Sequence, residues 1–502
     1  MKSLYDEIAR KSFNLPGLYP YQRHLIDEIV RAADGEEEAP RHGLVILPTG
    51  AGKSLIYMIP ALILNGLTLI IYPLNALIND QQRRFEAAGI PAATLRGGQT
   101  AAERRQILSA AAAGRIRVLL TNPETLLLPE ITALLLKISI NHVVFDEAHT
   151  LVEWGESFRP AYLKAAELVH SLEYRRLTGF TATATPELLR SIGECLFCGE
   201  GYELYRRSPA RDNIAFELIT SLTPGAEIAS RILAGKLEYP AILFCPTRKL
   251  TESSSALIQS LDPTIEVDFY HAGLSREEKK RLETEFSSGG RRLLCATCAF
   301  GLGVDCAGVR TVLHLGPPPS VEAYIQESGR AGRDGKAARA LLFLCPAQAQ
   351  AAENHPRQRE LVEASLAALS RGECRREALM RLFALEGDAP PDSHIGCGIC
   401  DCCCGSNHEL PLGSEEIIAG IREYPGCFSR RSLAAFLKGY ATAGVRLVDG
   451  QYSRCYGALG HWRFEWIEEA ILSALAFKLI RERGLFPPRR IRLGPRFKAL
   501  CG

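Results

Sequence analysis

The sequence predicts an α/β protein of two lobes, each with a parallel sheet, followed by a helical metal-binding segment and a small helical domain. Short apolar runs alternate with longer helix-forming segments over residues 43–185, and the alternation resumes near Ile214. Such alternation is typical of βαβ units and parallel sheets. Beyond Ala347 the pattern becomes helical, and five cysteines lie between Cys397 and Cys404. We therefore expect four regions, spanning residues 1–212, 213–348, 349–408 and 409–502.

Individual elements follow from the same patterns. In the first lobe, strands are predicted at residues 44–47, 68–71, 118–120, 142–145 and 177–180. In the second lobe, they are predicted at residues 241–244, 266–270, 292–296, 311–315 and 340–344. Residues 200–213 are predicted to form the hinge between the lobes. The last region should contain helices at 415–424, 430–437 and 464–483, together with a short hairpin at 448–452, because Asp449-Gly450 favours a tight turn.

The charge of the chain is unevenly distributed. Its formal net charge is only +2, but residues 409–502 hold 15 Lys and Arg against 9 Asp and Glu, a surplus of +6 that leaves −4 for the rest. A basic terminal region on a slightly acidic body indicates a polyanionic partner, although a solvated basic surface would look the same.

No segment has the pattern of a targeting or membrane sequence. The first thirteen residues mix charged and apolar side chains without an apolar core, which argues against a secretory signal. The uncharged run at 56–74 is interrupted by Pro60, Asn65-Gly66 and Pro73, which favours a helix, a turn and a buried strand over a membrane span. With 16 cysteines and no signal, we expect a reducing, cytoplasmic location, one metal site and no membrane partner.

A phosphate-binding loop is predicted directly after the first strand, at Pro48-Thr49-Gly50-Ala51-Gly52-Lys53-Ser54. Glycines allow backbone N–H groups to surround phosphate oxygens, and the following helix N-terminus favours negative charge. Lys53 would hold the β- and γ-phosphates and Ser54 would bind Mg²⁺, with Thr49, Gly50 and Gly52 shaping the loop. Leu47 stands where the strict form of this motif has glycine.

Two further motifs predict hydrolysis of the nucleotide. The apolar strand at 142–145 ends in Asp146-Glu147, where the first carboxylate can hold Mg²⁺ and the second can orient or deprotonate water. In the second lobe, Arg330 and Arg333 lie in a glycine-rich turn after Gln326. Arginines supplied by a second lobe can neutralise the charge that develops on the γ-phosphate during transfer.

In this order the motifs resemble those of superfamily 2 helicases, and the residues between them resemble the RecQ family over residues 19–403. The acidic pair is followed by an aromatic-rich loop similar to the one that couples DNA contact to ATP hydrolysis in RecQ helicases, with Trp154, Phe158 and Arg159 in matching positions. Further matching segments are Phe180-Thr181-Ala182-Thr183-Ala184, Phe244-Cys245-Pro246-Thr247-Arg248, Tyr270-His271-Ala272-Gly273-Leu274 and the stretch from Ala296 to Asp305.

The resemblance implies two RecA-like lobes, ATP and Mg²⁺ as cofactors, and movement from 3′ to 5′ on DNA. It adds Gln22, Asp305 and Gln326 to the nucleotide site and His271 to the DNA contacts. Gln22 matches the adenine-reading motif, but that motif is incomplete, since Leu15 and Tyr19 stand where the family has tyrosine and arginine. Tyr19 or Tyr21 is a candidate substitute for base stacking.

The cysteine cluster resembles the RecQ zinc site. Carrying the family pattern over gives Cys374, Cys397, Cys400 and Cys403 as structural Zn²⁺ ligands, with Cys402, Cys404, His394 and His408 as rivals. The pairs Cys195/Cys198 and Cys295/Cys298 are interpreted as ordinary thiols. The last region resembles the family's winged helix, and its end leaves no room for the helical accessory domain of many relatives.

Basic residues of that region are candidates for phosphate contacts, namely Arg430, Arg431, Arg489, Arg490, Arg492, Arg496 and Lys498. The leading hypothesis is a DNA helicase acting on single-stranded and duplex or branched DNA in repair or recombination, with the 448–452 hairpin as a candidate strand separator. Two alternatives are a DNA-stimulated translocase or ATP-switch scaffold that does not separate strands, and an RNA helicase. The sequence does not indicate the protein partners.

Overall fold

The computed structural model describes residues 2–36, 38–73, 75–153, 160–290, 292–300, 308–385, 388, 396–406, 410–483 and 490–495. The chain folds into two compact units. The first unit consists mainly of Met1–Arg211, and the second consists mainly of the chain from Asp212 onwards.

The first unit is built on a parallel sheet of seven strands. In chain order these are β1 (His42–Ile46), β2 (Leu67–Ile71), β3 (Ala92–Leu95), β4 (Val118–Thr121), β5 (Ile140–Phe145), β6 (Tyr174–Thr181) and β7 (Glu203–Arg206). Their order across the sheet is β3-β4-β2-β5-β6-β1-β7, and every pair is parallel. All these strands therefore end at one edge, which is where ligands bind in open α/β sheets.

Helices cover both faces of this sheet. They are α1 (Lys2–Phe13), α2 (Pro20–Ala33), α3 (Lys53–Ile63), α4 (Asn75–Ala87), α5 (Ala101–Ala112), α6 (Pro123–Leu126), α7 (Pro129–Leu135), α8 (Thr150–Glu153), α9 (Pro160–His170) and α10 (Pro186–Phe197). Successive strand residues enter opposite cores: Leu44 and Ile46 pack on one side of the sheet, and Val45 packs on the other. Because both faces of these strands are buried, their sequences are continuous apolar runs.

The second unit contains a parallel sheet of six strands. These are β8 (Ile214–Thr220), β9 (Ala241–Phe244), β10 (Glu266–Tyr270), β11 (Arg292–Ala296), β12 (Thr311–His314) and β13 (Ala338–Leu344), in the order β10-β11-β9-β12-β13-β8. The helices that accompany this sheet are α11 (Pro224–Leu233), α12 (Arg248–Leu261), α13 (Arg276–Ser287) and α14 (Val321–Ser328).

Smaller elements complete the second unit. A helical segment comprises α15 (Pro346–Ala352), α16 (Pro356–Arg371), α17 (Arg375–Arg381) and α18 (Asp401–Cys404). The terminal region comprises α19 (Ser414–Glu423), α20 (Arg430–Lys438), α21 (Ala443–Arg446), α22 (Phe464–Ala476) and the antiparallel hairpin β14 (Ile480–Arg483) with β15 (Arg490–Leu493). Helices followed by a two-stranded hairpin fit the predicted winged-helix arrangement.

The predicted α/β fold class is confirmed, and all ten predicted strands are present with small shifts of their ends. Three strands of the two parallel sheets were not predicted: β3, β7 and β8. The predicted hinge at 200–213 is largely wrong, because Glu203–Arg206 pairs with β1 as an edge strand of the first sheet. Only the end of that segment coincides with the division between the units, at Arg211.

The hairpin was predicted in the wrong place. Residues Gly450–Tyr452 form a single 3-10 turn, which Asp449 enters with a positive φ of 54°. The observed hairpin lies instead within and beyond the predicted helix 464–483, which ends at Ala476. Lys478 has a positive φ of 60° that is incompatible with helix continuation, and the chain then enters β14.

None of the helices in the described part of the chain combines the length and the apolar character needed to cross a membrane.

Candidate nucleotide site and metal centre

The predicted phosphate loop lies at the strand-end edge of the first sheet, between β1 and α3. Gly50 and Gly52 have φ values of 85° and 75°, a left-handed conformation that glycine adopts without strain. The N–H of Ala51 bonds to the Pro48 carbonyl at 3.1 Å, which closes the turn after Thr49. Lys53 and Ser54 begin α3, so their backbone N–H groups belong to the positive end of the helix dipole.

The side chain of Gln22 contacts this loop. Its amide nitrogen donates to the Ala51 carbonyl at 3.1 Å, and its amide oxygen accepts from the Tyr19 N–H at 2.9 Å. A Cβ atom on Gly52 would lie only 2.6 Å from the Gln22 amide nitrogen, so a larger residue at this position would displace the Gln22 side chain. Gln22 is therefore placed beside the phosphate loop, at the start of α2.

Two tyrosines lie next to Gln22. The Tyr19 and Tyr21 rings stack with centroids 5.6 Å apart and planes 7° from parallel. Tyr21 also packs under the Arg207 guanidinium, 4.7 Å from its ring centroid, and its hydroxyl donates to the Ala51 carbonyl at 2.7 Å. Tyr19, by contrast, is 65% exposed.

The carboxylate pair follows β5 at the same edge of the sheet. Asp146 is buried, and its Oδ1 accepts from the Glu147 N–H at 3.0 Å. Glu147 has a positive φ of 51°, a conformation that costs a non-glycine residue on the order of 1 kcal/mol and is concentrated at functional sites. The structure therefore brings Asp146 and Glu147 to the edge that also carries the phosphate loop.

Burial and the neighbouring Glu147 raise the pKa of Asp146 to about 6, while Lys53 opposes the rise. Carboxylate and hydroxyl oxygens are the ligands that Mg²⁺ prefers. Two adjacent acids that repel one another, at the sheet edge that also carries the phosphate loop, thus fit a divalent cation.

This pKa predicts an acid limit for metal-dependent nucleotide binding. Below about pH 6 Asp146 is protonated and neutral, so Mg²⁺-dependent binding of a fluorescent ATP analogue should decline there and not near the ordinary aspartate pKa of about 3.9. The Glu147→Gln variant removes the like charge and should move the midpoint to lower pH. A midpoint that is the same in both proteins would contradict this account.

Sequence reasoning missed a set of side chains that holds the carboxylate pair. The buried Tyr57 hydroxyl donates to the Asp146 carboxylate, and the buried Tyr72 hydroxyl contacts the Tyr57 hydroxyl. The Tyr162 hydroxyl donates to the Asp146 carbonyl at 3.0 Å. His149 Nδ1 lies 3.0 Å from the Thr181 hydroxyl and 3.4 Å from Glu147. The available signal for Tyr57 was its position one helical turn after Ser54 on α3.

The predicted arginines lie in the second unit, in the turn that follows α14. Arg330 is 4% exposed, Arg333 is partly exposed, and Gln326 lies on α14 itself. The turn is fixed at its far end, because the Asn213 amide donates to the Gly332 carbonyl at 2.8 Å. Asp305 falls outside the described residues.

The predicted DNA contacts of the two lobes are only partly described. Trp154, Phe158 and Arg159 lie outside the described residues. His271 is 6% exposed; its Nδ1 accepts from the Gly273 N–H at 3.2 Å, and its Nε2 lies 3.0 Å from Glu252. Since Nδ1 acts as an acceptor, Nε2 is the nitrogen that donates to the carboxylate. His271 is thus held within the second unit.

Four cysteines converge in the helical segment. The sulfurs of Cys374, Cys397, Cys400 and Cys403 all lie within 4.8 Å of one another. Two of the distances, Cys397 to Cys403 at 3.9 Å and Cys374 to Cys400 at 4.0 Å, are close to the roughly 3.8 Å expected between thiolates bound 2.3 Å from tetrahedral Zn²⁺. The donor set fits a structural zinc site with no open position.

Neighbouring groups shape this cluster. Backbone N–H groups of Cys397, Cys400 and Cys403 point at cluster sulfurs at 3.3 to 3.4 Å. Of the rival ligands, Cys402 lies 3.4 Å from the Arg375 guanidinium and Cys404 lies 3.4 Å from the Gly398 carbonyl, whereas His394 and His408 are outside the described residues. The same four cysteines that the family pattern indicated are therefore the ones the fold brings together.

The loss of one cluster thiolate should remove the metal and destabilise the second unit. Cys403→Ser is expected to lower the zinc content, measured by atomic absorption, from about one ion per chain to near zero. It should also reduce the unfolding free energy by at least about 2 kcal/mol, because metal binding contributes to folding. Cys404→Ser is the matched control, since its exposed neighbouring thiol lies outside the cluster. Equal zinc content in both variants would exclude Cys403 as a ligand.

Comparisons with known proteins agree with this geometry. Residues 19–191 match the DEAD/DEAH box helicase family, and residues 226–335 match the helicase conserved C-terminal domain family. The chain is 30% identical over 441 residues to the ATP-dependent DNA helicase RecQ of Haemophilus influenzae, covering 85% of this chain and 69% of that protein. It is 29% identical over 474 residues to the RecQ of Bacillus subtilis, covering 92% and 78%.

Solved structures share the fold. The DEAD-box helicase Mss116 bound to ssRNA and UDP-BeF aligns with a TM-score of 0.57 at 18% identity, covering 93% of this chain and 94% of that one. The DUF1998 helicase MrfA bound to DNA aligns with a TM-score of 0.56 at 20% identity, covering 76% and 58%. Both likenesses support two RecA-like lobes.

The matched helicase domains and the two RecA-like lobes define an ATP-dependent helicase. Within that class, the chain belongs to the RecQ family of ATP-dependent DNA helicases.

Proposed function

We propose that the chain hydrolyses ATP with Mg²⁺ to move from 3′ to 5′ along single-stranded DNA and to unwind duplex or branched DNA, in repair or recombination. The observation that carries the proposal is the convergence of the phosphate loop and the Asp146-Glu147 pair at one sheet edge of the first unit. This edge combines phosphate-binding N–H groups, a lysine, and carboxylates suited to a divalent cation.

Each residue has a distinct role in this proposal. Lys53 and the loop N–H groups hold the β- and γ-phosphates, and Ser54 and Asp146 hold Mg²⁺, which neutralises phosphate charge when bound. Glu147 orients the attacking water and accepts its proton. Arg330 and Arg333 of the second lobe stabilise the charge of the transferred phosphoryl group, with Gln326, Asp305 and Thr49 as further nucleotide contacts.

Tyr19 is the candidate platform for the adenine base. Its ring is exposed and backed by Tyr21, whereas Tyr21 already packs against both Tyr19 and Arg207. The adenine base would stack on the free face of the Tyr19 ring, and the neighbouring Gln22 side chain would supply the polar contact to the base.

The terminal hairpin supports a DNA-contacting role for the basic region. Arg481 is paired across the strands with Arg492, and Arg483 with Arg490, so all four side chains share one exposed face. Like charges directly opposite one another destabilise a hairpin, and an anionic backbone would relieve that repulsion. Predicted contact Arg430 forms an ion pair with Glu482 at 2.9 Å, while Arg431 is exposed.

Within the second unit, the start of α11 covers part of α22, whereas the four arginines of the hairpin face are exposed. The Trp466 indole packs against Gly225, where an added Cβ atom would lie only 2.9 Å from the indole Nε1. The Thr223 hydroxyl hydrogen-bonds to Glu469. Leu222 and Ala226 join the core of the terminal region. We therefore propose that duplex phosphates meet the hairpin face and not the covered part of α22.

The double substitution of Arg481 and Arg492 by alanine tests this contact. It should weaken duplex binding to a similar extent for unrelated DNA sequences. The slope of log affinity against log salt concentration should fall in magnitude by about 2, because two phosphate contacts are lost. The control removes Arg359 and Arg371, two exposed arginines of α16 in the same unit, with the same change in net charge. An equal loss in both proteins would indicate a general charge effect and no hairpin contact.

Stimulation of hydrolysis by matched strands tests the substrate class. ATPase rates measured with single-stranded DNA and with RNA of the same sequence should rise with DNA and much less with RNA. Equal or greater stimulation by RNA would favour an RNA helicase. Stimulation by DNA without strand separation would favour a translocase or an ATP switch.

A further inference from the structure

A buried tyrosine hydroxyl contacts Asp146, one of the two side chains proposed to hold Mg²⁺. The Tyr57 hydroxyl on α3 donates to Asp146 Oδ2 at 3.0 Å, and the Tyr72 hydroxyl lies 3.2 Å from the Tyr57 hydroxyl. Both tyrosines are fully buried. Ser54, the other proposed Mg²⁺ ligand, lies one turn earlier than Tyr57 on the same helix.

The direction of these hydrogen bonds follows from the number of protons. Tyr57 has one hydroxyl proton, which goes to the carboxylate. Tyr72 must therefore donate to the Tyr57 oxygen. That oxygen connects α3, which carries Ser54, to the end of β5, which carries Asp146.

The hydrogen bonds also fix the rotation of the carboxylate. Asp146 Oδ2 accepts from Tyr57, and Oδ1 accepts from the Glu147 N–H at 3.0 Å. An ionised carboxylate has about four lone-pair positions, so two remain for a cation. Outer partners of this kind orient metal ligands, and their loss typically costs about 10- to 100-fold in metal affinity.

We propose that Tyr57, supported by Tyr72, is a positioning residue that ties the Asp146 carboxylate to α3, the helix that carries Ser54, in the arrangement that receives the Mg²⁺ of the bound nucleotide. This inference rests on the proposed ATPase function. Tyr57 acts through Asp146 and does not itself contact the nucleotide.

The Tyr57→Phe variant tests the proposal because it removes the donor and keeps the ring. Binding of a fluorescent ATP analogue is titrated with Mg²⁺. The Mg²⁺ concentration that gives half-maximal binding should rise about tenfold, while binding in the presence of EDTA stays unchanged. Tyr5→Phe is the matched control, because Tyr5 is a buried tyrosine of the same unit whose hydroxyl donates to Asp27 at 3.0 Å, away from the site.

An unchanged Mg²⁺ requirement in folded Tyr57→Phe would overturn the proposal. If that variant does not fold, Tyr72→Phe decides: a smaller rise in the same direction supports the proposal, and no rise refutes it. The wild-type titration separates this inference from the proposed function. If wild-type nucleotide binding does not respond to Mg²⁺, the ATPase assignment itself fails; if it responds and the variant matches it, only the role of Tyr57 fails.

Discussion

Replacing Lys53 by alanine is expected to abolish DNA-stimulated ATP hydrolysis and strand separation. Lys53 begins α3 at the phosphate loop. Its positive charge opposes the rise in the pKa of Asp146, which indicates that Lys53 lies close to the carboxylate pair. Removing one preorganised positive group from a phosphate site costs about 10²- to 10³-fold in rate, because nothing else replaces its charge in the transition state. The measurement is steady-state ATPase activity with saturating single-stranded DNA.

Lys137→Ala is the appropriate control for this variant. Lys137 is an exposed lysine of the same unit, so its loss changes net charge equally without touching the site. It should retain full activity. Substantial hydrolysis by the Lys53→Ala protein would mean that phosphate binding does not occur at this loop.

Loss of Arg333 is expected to lower kcat by about 10³-fold or more while nucleotide binding changes little. Arginines that neutralise the transferred phosphoryl group act mainly in the transition state, so their removal affects kcat more than KM. Arg333 is the preferred position for alanine because it is partly exposed, whereas Arg330 is 4% exposed and its truncation would also disturb packing. At Arg330 the suitable substitution is lysine, which retains the positive charge but loses the planar guanidinium group and its paired hydrogen-bond donors.

Arg276→Ala provides the comparison, since this arginine is exposed at the start of α13 in the same unit. Its kcat should match the wild type. A rise in KM with unchanged kcat in the Arg333 variant would assign Arg333 to nucleotide binding and would contradict a transition-state role.

Much of the fold could be predicted from the sequence because the central strands are buried on both faces. The central strands β9 and β11 were predicted with their observed bounds, as each is a short apolar run between helix-forming segments. The missed strands lacked that signature. Ala92–Leu95 is short with small side chains, and Glu203–Arg206 is a partly exposed edge strand.

The terminal region was harder to predict because its hairpin is exposed. In β14, Ile480 points inward while Arg481 and Arg483 point outward, which resembles the polar face of a continuing helix. The turn at Asp449-Gly450 has favourable hairpin residues but no strand partner on either side. The turn-forming residues Asp449-Gly450 therefore gave a wrong prediction, because the segments on either side of them do not pair as strands.

For the candidate site, motifs located the groups that face the ligand but not those that support them. The four cysteines and the loop residues have fixed spacings, so the family pattern identified them. Tyr57 and Tyr72 contribute through packing around Asp146, which no spacing rule encodes.

ATP-driven movement from 3′ to 5′ is tested by unwinding of a labelled DNA duplex that carries either a 3′ or a 5′ single-stranded tail, with ATP and Mg²⁺, and with the Lys53→Ala protein as control. Unwinding is expected only from the 3′ tail, and none is expected with the control. Unwinding only from the 5′ tail, or ATP hydrolysis that separates neither duplex, would contradict the proposed function.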